Sequence, residues 1–143
     1  MSQRGAGYGE LAGIHQKSLR HRSVSAFPRV VDTARGLARL AIPLRAEYAN
    51  SYGYTHGGVY AALVDMAAGV CLRTLKVRVV TVETTVNIFL PVATAGRLTA
   101  DARLVHKGRK LLHAEVDVTN DEGALVAKGR AVFYITGEDT GEY

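Results

Sequence analysis

Asp65 is the only charged residue between His56 and Arg73. The stretch around it, Gly57-Gly58-Val59-Tyr60-Ala61-Ala62-Leu63-Val64-Asp65-Met66-Ala67-Ala68-Gly69-Val70-Cys71-Leu72, is nearly all apolar. A helix that is apolar all round leaves no face for water and belongs in a core. A carboxylate placed there costs free energy unless it is paired, hydrogen-bonded or protonated. Asp65 therefore has either a chemical task or a structural one, such as capping a nearby strand or turn.

The approach to this helix reads Asn50-Ser51-Tyr52-Gly53-Tyr54-Thr55-His56, followed by Gly57 and Gly58. The first amides of a helix have no internal partner and together carry about half a positive charge. Two glycines there leave the backbone bare, so an acyl oxygen can approach the N–H groups. This is the geometry of an oxyanion hole, in which donors wait where negative charge will develop. The same pair would also let the helix start pack tightly against a neighbour. Asp65 follows Gly57 by eight residues, about 12 Å along the axis at roughly 1.5 Å per residue. That is too far to serve a carbonyl held at its own helix start. If both groups act on one substrate, Asp65 comes from a second protomer running antiparallel to the first. The spacing then predicts a site shared across a two-fold dimer interface. His56 alone would be a helix-cap or packed histidine; beside Asn50 and Gly57 it becomes a candidate site residue.

These residues must be positioned by the elements around them. The chain has 143 residues, enough for one domain with a real hydrophobic core. Residues 1–9 are glycine-rich and read as a tail, and residues 10–22 could form a short amphipathic helix through Leu11, Ile14 and Leu19. The expected domain spans residues 26–137, between an N-terminal segment of residues 1–25 and a tail of residues 138–143. Residues 37–48 alternate as a strand, with Pro43 arguing for an edge or a bulge. The helix is expected to end near Lys76. Four extended runs follow, over residues 79–90, 98–104, 112–118 and 125–136. In the first, Val80, Val82, Thr84, Val86 and Ile88 alternate with Thr81, Glu83, Thr85 and Asn87. Period-2 alternation of this kind marks strands with one buried face and one wetter face. Lys107-Gly108-Arg109 and Asn120-Asp121-Glu122-Gly123 supply hairpin signals. The order predicts an α+β architecture in which a curved antiparallel sheet wraps one central buried helix.

Asn50-x-x-Gly53-x-x-His56-Gly57-Gly58 followed by Asp65 resembles the motif of hotdog-fold acyl-CoA thioesterases of the phenylacetate-degradation (PaaI) type. The likeness runs from about Leu37 to Ile135 and includes Thr81-Val82-Glu83, Asn87-Ile88-Phe89-Leu90-Pro91 and the Gly123-x-Leu125-Val126-Ala127 hairpin. It implies hydrolysis of acyl- or aryl-CoA thioesters with no metal or other cofactor, by homodimers that often pair into tetramers as dimers of dimers. Position by position, it implies that Gly57 supplies the oxyanion amide and that Asp65 of the partner subunit acts as nucleophile or general base. Asn50 and His56 would shape and polarise the site, with Gly58 beside the substrate. Thr81 falls where such enzymes place a hydroxyl that helps hold the attacking water.

Other classes are disfavoured by what the chain lacks. His15, His21, His106 and His113 show no metal-ligand spacing, and no Gly-x-Ser-x-Gly elbow is present. The single cysteine, Cys71, excludes an intramolecular disulfide and suits a reducing, cytoplasmic setting. No secretory signal pattern opens the sequence. No apolar run reaches the roughly 18–20 residues of a membrane span. The net charge is +5, but the cations are scattered rather than massed into a stripe, which argues against nucleic acid. Lys107, Arg109 and Lys110 form a basic turn that is either a solvated hairpin tip or a site for the phosphates of coenzyme A. Tyr52, Tyr54 and Tyr60 either wall an acyl pocket or simply pack. The rival to an enzyme is a non-catalytic acyl-CoA-binding or sensing protein on the same fold. A pure binder has little use for a buried carboxylate, which makes Asp65 the feature that separates the two.

Overall fold

In the computed structural model, which describes residues 28–139 and Gly141, six strands form one antiparallel sheet around a single long helix. The elements are β1 (Arg29–Ala34), β2 (Leu37–Pro43), a 3₁₀ turn (Ala46–Tyr48), α1 (Gly57–Arg73), β3 (Val77–Ile88), β4 (Arg97–Lys107), β5 (Leu111–Thr119) and β6 (Leu125–Glu138). The strand order is β1-β2-β4-β5-β6-β3, so β1 and β3 are the two edges. Residues 1–27, which include the expected tail (residues 1–9) and short helix (residues 10–22), lie outside the described residues, as do Thr140, Glu142 and Tyr143.

The sheet face beneath α1 is paved with small residues at its centre. Cross-strand rows run Ala102–Val116–Gly129 and Ala100–Val118–Ala127, with Ala114 opposite Ala131. Against them pack Tyr60, Leu63, Val64, Ala67, Ala68, Cys71 and Leu72, all buried. A β-carbon on Gly129 would collide with the Val64 side chain, so this position must stay bare for the helix to sit close. Larger side chains, Leu40, Leu98, Leu112 and Phe133, close the periphery of the same layer. Alternate residues point the other way and form a charged lattice on the outer face. Arg39 pairs with Asp101 at 2.7 Å, Arg103 with Glu115 at 2.6 Å and Asp117 at 3.4 Å, and Lys128 with Asp117 at 3.5 Å.

Both hairpin signals form turns. Gly108 N–H donates to Leu111 O at 2.9 Å, and Asn120 Oδ1 accepts the N–H groups of Glu122 and Ala124 at 3.1 and 2.9 Å. Several expectations need correction. The strand expected over residues 37–48 stops at Pro43, and the chain then turns through the 3₁₀ segment. Pro43 does not mark an edge: β2 lies between β1 and β4, and Pro43 sits at its end, beyond the reach of β1, which stops opposite Ala41. No ladder donor is lost there on the β1 side. The sequence reading placed no strand at Arg29–Ala34, yet this segment forms the hairpin partner of β2. The helix ends at Arg73 rather than near Lys76. Lys76 has a left-handed backbone, φ 64°, and its carbonyl accepts the Asp139 N–H at 3.0 Å.

The helix is also not buried all round. Gly57, Gly58 and Ala62 are exposed, and Ala61, Asp65, Met66, Gly69 and Val70 are only partly covered. One sheet can cover only one side of a helix. The remaining apolar face opens beside the edge strand β3.

Candidate active site

The helix start is delivered by a tightly tied loop. Asn50 Oδ1 accepts the N–H groups of Tyr52 and Tyr54 at 2.9 and 3.1 Å, and the Asn50 N–H donates to Tyr54 O at 2.7 Å. Gly53 closes this loop with φ 81°, a conformation that L side chains adopt only with strain. The loop is anchored to the 91–95 segment by Thr55 N–H to Val92 O at 2.7 Å. His56 occupies the N-cap position, its N–H bonded to Tyr48 O at 2.8 Å, but its imidazole makes no capping bond and is exposed. Neither the helix-cap nor the packed-histidine reading therefore describes it. Gly57 and Gly58 are exposed, and a β-carbon on Gly57 would meet only Ile88 Cδ1, at 3.6 Å. Nothing lies within 4 Å of the corresponding point at Gly58. Among the described residues, then, only Ile88 approaches this pair of glycines, at ordinary contact distance, and no close packing requires Gly58 to be bare.

Asp65 lies on the open face of α1 and is held from β3. Thr81 Oγ1 donates to Asp65 Oδ1 at 2.8 Å, and Thr84 Oγ1 donates to the same oxygen at 3.2 Å. Asp65 Oδ2 is left without a protein partner among the described residues. The expected facing of β3 is wrong at this point. Thr81 lies opposite Phe133 and Glu83 opposite Val132, so Val82 is an extra residue, a β-bulge. Beyond the bulge the phase of the strand reverses. Thr81 and Thr84, three residues apart, share the helix-facing side, while Val80 and Val82 are left 51% and 58% exposed. Thr84 is the site residue that sequence reasoning missed.

The structure does not bring Asn50, His56 and Gly57 together with Asp65 and Thr81 in one protomer. The first group clusters at the helix start and the second lies two turns further along. Cys71 is buried, and burial pushes its thiol up to about 12, which removes it as a nucleophile near neutral pH. Tyr60 is a buried core residue rather than a pocket wall, whereas Tyr52 and Tyr54 are exposed. Among the described residues no group of three or more His, Cys, Asp or Glu could hold a metal ion, and no helix is long and apolar enough to cross a membrane.

Lys107, Arg109 and Lys110 are exposed at the β4–β5 turn, and three further cations converge on that end of the domain. Gly36 O accepts the Leu104 N–H at 2.9 Å and the Gly36 N–H donates to Thr74 Oγ1 at 2.8 Å, which brings Arg35 to the helix C-terminus. Lys110 O accepts the Ile135 N–H at 2.8 Å, and Ile135 lies opposite Val79, next to Arg78. Lys76 is tied to the end of β6 through Asp139. Arg35, Lys76, Arg78, Lys107, Arg109 and Lys110 make no ion pair among the described residues, in contrast to the outer-face lattice. These six exposed cations thus bring positive charge to the end of the domain where α1 terminates, alongside Glu138 and Asp139 at the end of β6.

One long helix cradled by a six-stranded antiparallel sheet is the hotdog fold. The family model described as Thioesterase superfamily matches residues 52–127, and the chain belongs to that superfamily. It is similar to human acyl-coenzyme A thioesterase 13, at 28% identity over 104 residues, 71% of this chain and 74% of that protein. The structure of smu.793 from Streptococcus mutans UA159, bound to acetyl CoA, superposes with a TM-score of 0.77 at 26% identity, covering 80% of this chain and 92% of that one. The Escherichia coli PaaI protein of the phenylacetic acid degradation operon shares the fold with a TM-score of 0.82 at 19% identity, over 91% and 96% of the two chains.

Proposed function

We propose that this protein hydrolyses acyl-CoA thioesters at a site completed by a second copy of the chain. The observation that carries the reading is the placement of Asp65. It sits on the uncovered apolar face of α1, clamped at Oδ1 by two hydroxyls, with Oδ2 left without a partner among the described residues. A carboxylate kept partly out of water and held in one orientation suits a base or nucleophile better than a structural cap. The amides at Gly57 are about 12 Å away along the same helix, so the amide that serves Asp65 comes from the partner subunit. The unpaired edge of β3 and the open helix face lie side by side, and an antiparallel second copy covers both. The minimal unit is then a homodimer, and the likeness to PaaI-type proteins extends this to a dimer of dimers.

In this arrangement the thioester carbonyl oxygen accepts a hydrogen bond from the Gly57 amide of the partner subunit, with His56 and Asn50 shaping that end of the site. Negative charge that develops on the oxygen meets the positive end of the helix dipole. Asp65 either attacks the carbonyl carbon itself or takes a proton from a water held by Thr81. If water is the nucleophile, its oxygen bonds to the carbonyl carbon, and collapse of the tetrahedral intermediate breaks the C–S bond. That step gives the free acid and passes the proton from Asp65 to the coenzyme A thiolate. If Asp65 is the nucleophile, collapse expels the thiolate and leaves an acyl–Asp65 anhydride. A water then cleaves the anhydride to release the acid and restore the carboxylate. The Streptococcus mutans neighbour bound to acetyl CoA and the human relative named acyl-coenzyme A thioesterase 13 support coenzyme A as the leaving group. A panel of acyl-CoA substrates with a colorimetric free-thiol readout tests the reading. Stoichiometric thiol release that tracks enzyme concentration is expected, whereas saturable binding without release would identify a non-catalytic acyl-CoA-binding protein.

The cationic end is the proposed phosphate site. Exchange of Lys107, Arg109 and Lys110 together for Gln is expected to raise KM for acyl-CoA with kcat little changed, because contacts remote from the carbonyl act equally in ground and transition states. KM of the unaltered enzyme should also climb with salt, since exposed charges are screened over about 8 Å at physiological ionic strength. An acyl-pantetheine thioester, which lacks the nucleotide phosphates, should be indifferent to the triple exchange. An equal rise in KM for both substrates would mean that the turn shapes the pocket instead.

A further inference from the structure

Two hydroxyls on one carboxylate oxygen are more than a strand of this kind requires, and they are not equivalent. Thr81 is exposed, whereas Thr84 is partly buried, and its bond to Asp65 runs through the more sheltered part of the helix–sheet seam. A threonine hydroxyl has a single proton to donate. While Thr81 gives its proton to Asp65, it can meet an incoming water only through its lone pairs. If Thr81 turns toward the water, Asp65 keeps a fixed orientation only if a second donor holds it. Thr84 is that donor, and it reaches Oδ1 because the Val82 bulge puts residues three apart on the same face of β3.

We propose that Thr84 is a positioning residue for hydrolysis. Its hydroxyl holds Asp65 Oδ1 from the sheltered side, which keeps Oδ2 aimed across the open face and frees exposed Thr81 to handle water. The inference rests on the reading of Asp65 as the catalytic carboxylate. It assigns no direct contact with substrate to Thr84.

Thr84→Val keeps the shape of the side chain and removes the hydroxyl; Thr84→Ser keeps the hydroxyl and removes a methyl group. The expected result is a fall in kcat of roughly 10- to 100-fold for Thr84→Val, the scale set by slight misplacement of a catalytic group, with KM unchanged. Thr84→Ser should recover kcat to within a few-fold of the unaltered enzyme. Thr84→Ala supplies a second hydroxyl-free variant should Val disturb folding, judged by circular dichroism and thermal melting. Asp65→Asn is measured in the same assay. If Asp65→Asn is inactive while Thr84→Val and Thr84→Ala keep more than about half of kcat, Thr84 does not position the carboxylate and the broader reading stands. If Ser is as damaged as Val, packing rather than the hydroxyl matters and the inference fails. If Asp65→Asn itself stays active, the catalytic reading falls and the role of Thr84 falls with it.

Discussion

Asp65→Asn is expected to lower kcat on an acyl-CoA by about 10²–10⁴, the usual contribution of a positioned acid–base group, while fold and assembly persist. Asparagine has nearly the volume of aspartate, and its carbonyl oxygen can accept the same two hydrogen bonds from Thr81 and Thr84 that Oδ1 accepts now. The substitution therefore removes little that the fold uses. What it removes is the negative charge and the basicity of Oδ2, the oxygen left for chemistry. Initial-rate thiol release checks the first half of this expectation, and circular dichroism with light scattering checks the second. A variant that keeps more than about a tenth of kcat takes Asp65 out of the reaction.

Gly57→Val is expected to cost about 10²–10³ in kcat, the scale seen when an oxyanion donor is lost, and again without loss of fold. A β-carbon at this position meets only Ile88 Cδ1 at 3.6 Å, an ordinary contact, so that atom finds room in its own protomer. The branched side chain instead crowds the approach of an acyl oxygen to the bare amides. Gly57→Ala, smaller, should be damaged less. Rates on a short-chain acyl-CoA measure both. Near-normal activity in the Val variant would place the oxyanion donor elsewhere.

Much of this arrangement was legible in the sequence, and the parts that were not have physical causes. The Asn120–Gly123 turn was readable because a short amide side chain announces the geometry that its backbone adopts. The inner and outer faces of β4 and β5 were readable from strict alternation, and the ion pairs of the outer face follow from it. Arg29–Ala34 escaped because Val30 and Val31 are adjacent apolar residues in a short segment, which breaks the period-2 signal of a strand. The open face of α1 escaped for a different reason. Apolar side chains that the sheet leaves open look the same in sequence as those it covers. The eight-residue spacing between Gly57 and Asp65 is what motivates the proposed composite site, since helix rise is fixed. Thr84 was read on the apolar face, where it lies, but its partnership with Thr81 was invisible. The Val82 bulge moves Thr81 to that face, and nothing in Thr81-Val82-Glu83-Thr84 signals an extra residue. A bulge beside a candidate catalytic group is where a period-2 reading of a strand fails first.

The central claim is that the amide of one subunit and the carboxylate of the other serve the same thioester. Mixing the inactive Asp65→Asn protein with the inactive Gly57→Val protein, under conditions of verified subunit exchange, tests it most directly. Each mixed dimer would then contain one site with both changes and one site with neither. The account predicts that thiol release reappears on mixing and rises with the fraction of mixed dimers, each of which carries half of the normal sites. Confirmed exchange with no recovered activity would contradict it, because it would mean that Gly57 and Asp65 of the same chain serve one site.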